Sequence, residues 1–169
     1  MMRARALLCV GLVTAACAAG EADVRRPPGG PGAPRSGVPG VRAIGRFDTQ
    51  DPAGPRFAWS GTGVAIRFRG PQLDARLRGG GGDSLEVVID GVPTTAITLQ
   101  TGKELYPVAT GLADSEHEAV LVKRTEARVG EVQLLGFAQP LLPAPPAPER
   151  RIEVIGDSIT AGYGNEGPN

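Results

Sequence analysis

The chain has 169 residues, and its 18 Lys and Arg against 18 Asp and Glu give a formal net charge of zero, without the basic surplus that phosphate-neutralising nucleic-acid binding needs. Hydrophobic residues make up 41% and aromatics only 4%, while 25 Gly and 16 Pro exclude a mostly helical protein. The length allows one self-supporting domain plus a fragment, with no need of metal or disulfide staples.

Arg3 and Arg5 precede an apolar run over 6–19, the basic region, short hydrophobic region and small-residue exit of a secretory signal. The run is shorter than a membrane-spanning helix requires. Both cysteines, Cys9 and Cys17, lie inside it, so residues beyond 19 hold no internal disulfide. The stretch from Leu12 to Cys17 resembles the lipobox of bacterial lipoproteins, with Thr14 where Leu or Val is usual, and this implies lipidation at Cys17. Residues 1–19 are expected to act as an export signal, anchoring the protein to an outer or cell-surface membrane by lipid, or releasing it as a secreted form.

Residues 20–40 are crowded with Pro and Gly and show no hydrophobic period, which predicts a flexible spacer. Between 41 and 139 apolar residues recur at every second place, the period of a half-buried strand. Val64, Ile66 and Phe68 form one such row and Leu73, Ala75 and Leu77 the next. Gly70 and Pro71 between them predict a turn joining two antiparallel neighbours. Leu85, Val87 and Ile89 precede Asp90 and Gly91, a two-residue hairpin signal, and a run over 92–99 follows. Residues 118–122 and 131–137 add two more strands. Seven to nine short strands predict a β-sandwich, with jelly-roll and immunoglobulin-like versions not separable by the pattern. Residues 140–150 carry five prolines in eleven residues and predict a second, semi-rigid linker. Beyond it, residues 152–155 read as a buried strand ending at Gly156, the beginning of a further α/β domain over 151–169.

A strand followed at once by Gly156, Asp157 and Ser158 sets a hydroxyl at the carboxyl end of a sheet, where turn N–H groups can face a developing oxyanion. A serine there needs a base, ordinarily a His held by a carboxylate. The run from Val154 to Thr160, continued by Gly162, Tyr163 and Gly164, resembles the first block of the SGNH (GDSL-like) hydrolases. Gly45, Arg46 and Phe47, the run from Asp51 to Trp59, the two runs 116–118 and 122–126, and 135–137 resemble the N-terminal β-domain of carbohydrate esterase family 2. That family consists of bacterial enzymes that deacetylate xylan and related polysaccharides.

The resemblance implies a mostly β chain: a jelly-roll-like sandwich followed by the first strand and nucleophile turn of a truncated SGNH domain. It also implies that Ser158 is the nucleophile and a backbone oxyanion donor, and that Asp157 and Gly156 hold the turn. The family's catalytic His and its remaining donors, a Gly and an Asn, would lie beyond Asn169, so the 169 residues alone are expected to be inactive or nearly so. Expected partners are an acetylated polysaccharide or oligosaccharide and, through the lipid anchor alone, a membrane; no cofactor and no nucleic acid are expected. A different class of function, a surface-tethered carbohydrate-binding module without catalysis, remains the alternative, and a purely structural envelope lipoprotein a third.

His117 is the only histidine and sits between Glu116 and Glu118 at the start of an expected strand, where a surface or turn role outweighs a catalytic one. One His and no cysteine pair beyond residue 19 give no metal site. Trp59, Phe57 and Tyr106 could line a sugar surface, but Trp59 is expected in the core. Arg67, Arg69, Arg76 and Arg78 read as the wet face of two strands, and the glycines at 79–82 as a loop with no phosphate-binding context.

Overall fold

The structure, a computed structural model, describes residues 36–150, 156–158, 160 and 164. The described part contains strands and no helix: β1 (Val41–Ile44), β2 (Arg56–Phe57), β3 (Gly63–Arg69), β4 (Leu73–Gly79), β5 (Ser84–Ile89), β6 (Val92–Pro93), β7 (Ile97–Thr98), β8 (Leu105–Ala109), β9 (Glu116–Lys123) and β10 (Val132–Phe137). The expected export signal and Cys17, and the strand over 152–155, lie outside the described residues.

Two antiparallel sheets face one another. The first has the order β1, β3, β9, β5, with β6 and β7 sharing the far side of β5; the second runs β2, β10, β4, β8. Period-two patterning decides which side chains meet between them. Ile66 and Phe68 from β3, Leu73, Ala75 and Leu77 from β4, Leu85 and Val87 from β5, and Leu134 from β10 are each no more than 1% exposed. Arg67 turns outward to Glu116 at 2.6 Å and Arg78 to Glu104 at 2.7 Å, so these arginines occupy the wet face as expected.

One expectation is corrected. The strands flanking Gly70 and Pro71 do not pair: β3 pairs with β1 and β9, while β4 pairs with β8 and β10. The turn carries the chain across the sandwich, because both strands bury the same alternate positions and a crossing lets each row face the other. The hairpin at Asp90 and Gly91 forms as the sequence predicts, with φ of 51° and 80° and Ile89 opposite Val92.

The sandwich takes in residues whose composition reads as spacer. Ser36 is 2% exposed and donates from Oγ to the Val41 carbonyl at 2.9 Å. At the other end Leu141 bridges to Phe68, and the Leu142 N–H donates to the Arg67 carbonyl at 2.8 Å. Val38 and Leu141 pack against the core. Proline content conceals these contacts, since they need only a few apolar side chains and one or two hydrogen bonds.

Candidate functional site

Ser158 stands exposed in a turn. Asp157 accepts the Thr160 N–H through Oδ1 at 3.4 Å. Gly156 lies so close to Thr160 that a Cβ there would meet its Cβ at 2.6 Å and its Cγ2 at 2.9 Å, which explains why the residue ahead of Asp157 has no side chain. Further on, the Gly164 N–H donates to Glu126 Oε1 at 2.8 Å. That bond, above all other influences, holds the Glu126 carboxyl below its ordinary value.

Residues 123–126 form the platform under that contact. The inward row of β9 is His117, Ala119, Leu121 and Lys123, apolar in its middle and charged at each end. Lys123 Nζ is fully buried, 3.1 Å from Asp83 Oδ1, and donates to the Thr125 carbonyl and hydroxyl at 2.9 and 3.0 Å and to the Glu126 carbonyl at 3.1 Å. A buried ammonium is held by such a complete set of oxygens or not at all. Asp83 Oδ2 lacks a hydrogen-bond partner and lies where a Cβ on Gly130 would stand.

His117 ends the same row on the opposite side. Its Nδ1 lies 2.7 Å from Asp90 Oδ2, and its Nε2 is shared by the Ala113 carbonyl at 3.0 Å and Ser115 Oγ at 3.1 Å. The order Asp90, His117, Ser115 has the connectivity of a hydrolase triad, but the chemistry differs. A carbonyl and a carboxylate can only accept, so both contacts are satisfied together when both ring nitrogens are protonated, and in that form no lone pair is left to take a proton from Ser115. The ring is a clamp, with Phe68 beside it at 5.6 Å between centroids. Asp90 hydrogen bonding is the largest influence raising its pKa.

The aromatic residues separate. Phe57 and Tyr106 are 3% and 2% exposed; the Tyr106 hydroxyl accepts the Gln100 N–H at 2.9 Å, which makes it a core residue. Trp59 is 61% exposed, against the expectation of a core position. The strand that would have carried it inward ends at Phe57, and residues 59–62 form a turn with Gly61 at φ 77°. Trp59 is the one feature with binding potential that strand periodicity misplaces; the signal available was the Ser60, Gly61, Thr62 turn directly after it. A groove of about 500 Å³ lies elsewhere, lined by Thr94, Thr98, Lys103, Tyr106, Thr110 and Leu112. No group of three or more potential metal-ligating side chains occurs among the described residues.

A family model described as the carbohydrate esterase 2 N-terminal region matches residues 43–145. The chain is 45% identical over 132 residues to the cellulase/esterase CelE of Acetivibrio thermocellus, covering 76% of this chain and 16% of that protein. It is 31% identical over 128 residues to an acetylxylan esterase / glucomannan deacetylase of Cellvibrio japonicus, covering 73% of this chain and 36% of the relative. Among solved structures, a family two carbohydrate esterase from Clostridium thermocellum in complex with cellohexaose superposes with a TM-score of 0.70 at 44% identity, covering 76% of this chain and 40% of that one. The chain thus spans well under half the length of the relatives it matches.

Proposed function

Since the chain belongs to carbohydrate esterase family 2, with its sandwich matching that family's N-terminal domain, we propose that it serves an exported serine esterase that removes acetyl groups from a xylan- or glucomannan-like polysaccharide. The sandwich would be the jelly-roll-like domain, and 151–169 the beginning of an SGNH hydrolase domain. One observation carries the reading: the family match over 43–145 is followed in the same chain by Ser158, exposed in a turn.

In this reading the Ser158 hydroxyl attacks the acetyl carbonyl carbon while a base takes its proton. The oxyanion is held in part by the Ser158 N–H. Collapse expels the sugar oxygen, which receives the proton, and water then releases acetate from the acyl-serine. His117 is engaged by Asp90 and Ala113, so it is not the base in this reading.

Acetate release from acetylated xylan, measured on the whole protein bearing this sequence, is expected to fall by at least about 10⁴-fold in Ser158→Ala. Equal rates in the two proteins would overturn the reading. Export and lipidation belong to the same proposal: Cys17→Ser is expected to abolish metabolic labelling by a fatty acid, and labelling that survives the change would refute an anchor at that residue. A second reading, a carbohydrate-binding module without catalysis, is favoured by exposed Trp59. It predicts glycan binding with no acetate release from any form of the protein.

A further inference from the structure

Trp59 is the only tryptophan of the chain and the one aromatic among the large hydrophobic side chains exposed in the described residues. Its backbone is held on several sides. The Thr62 N–H donates to the Trp59 carbonyl at 3.1 Å, the Gly61 N–H to the Lys123 carbonyl at 2.9 Å, and the Lys123 N–H to the Thr62 carbonyl at 2.9 Å. Ser60 Oγ donates to the Thr125 carbonyl at 3.1 Å. Underneath, the buried pair of Lys123 and Asp83 fixes residues 123–126. The backbone that carries the indole is therefore already ordered before a ligand covers it.

The same four residues hold Glu126, the acceptor for Gly164. The turn after Trp59 and Gly164 are therefore both tied to the run 123–126. The exposed ring offers a flat aromatic face to solvent. It matches the flat C–H face of a pyranose, which lies on the electron-rich face of an aromatic ring.

We infer that Trp59 is a sugar-stacking platform, on which one pyranose of a β-1,4-linked glycan rests. The glycan class rests on the esterase reading; the stacking does not. As the only tryptophan, Trp59 reports directly through its emission. Titrating the 169-residue chain with cellohexaose or xylohexaose to about 1 mM is expected to shift the emission to the blue and to reduce acrylamide quenching at least about twofold. In affinity electrophoresis on gels containing xylan, Trp59→Ala is expected to lose about tenfold in binding, and Trp59→Phe to keep part of it. Emission unmoved by both oligosaccharides would overturn the platform, including the case in which the sandwich end is instead covered by protein. An emission response of this chain with no acetate release from acetylated xylan by the whole protein bearing this sequence would sink the esterase reading alone; acetate release by the whole protein without an emission response would sink the platform alone.

Discussion

Lys123 and His117 show how two titratable side chains in one inward row come to opposite physical arrangements. Lys123 is sealed among oxygens, so Lys123→Met removes the cation and leaves Asp83 buried without a counter-charge. That change is expected to destabilise by about 3–5 kcal/mol, read as the midpoint of urea unfolding. His117 is poised at the rim. Its folded pKa lies above the ordinary 6.5, with Asp90 as the main cause, so the stability it contributes is complete below that value and fades as pH rises through the raised one. The melting temperature is therefore expected to fall on going from pH 6 to pH 9, and His117→Gln to flatten that dependence; an equally steep fall in the variant would refute the clamp. Neither arrangement is legible in the run from Glu116 to Lys123. Period two predicts that His117 and Lys123 face inward, but the partners Asp83 and Asp90 lie dozens of residues away and are brought in only by the pairing of β5 with β9. Trp59 escapes the pattern for a related reason: alternation from Phe57 holds only while a strand lasts, and β2 lasts two residues.

At the scale of elements, β5 and β9 form a ladder pinned at both ends. Asp83 immediately precedes β5 and Asp90 immediately follows it, so each end of the strand supplies the carboxylate for one end of β9's inward row. Close backbone approach matters equally. A Cβ on Gly63 would collide with the Leu121 carbonyl of the neighbouring strand, so Gly63→Ala is expected to cost at least about 2 kcal/mol, although φ there suits any residue. Gly61→Ala, with open space around it, is expected to cost less, through its positive φ alone. Denaturant unfolding of the two variants side by side checks the order. The strands themselves were legible because each has one dry face. What periodicity could not give was sheet membership, since alternation is identical whether β4 lies beside β3 or opposite it.

For the whole molecule, the sandwich is joined almost entirely by pairings between distant parts of the sequence, which predicts folding in milliseconds to seconds as opposed to microseconds; stopped-flow refolding through Trp59 emission measures this. Its limits lie outside the 41–139 that composition suggests. A chain beginning at residue 41 is expected to melt below one beginning at 36, because it loses the Ser36 bond to Val41 and the packing of Val38. The first and last of these packed segments also touch: a Cβ on Gly40 would stand 2.9 Å from the Leu141 Cβ and 3.0 Å from the Leu142 carbonyl oxygen. A tension applied to the chain between Ser36 and Leu142 would therefore pass across that short contact and leave the two sheets unloaded. The sandwich would first yield by peeling at this corner, a low-force event, while its interior kept its shape.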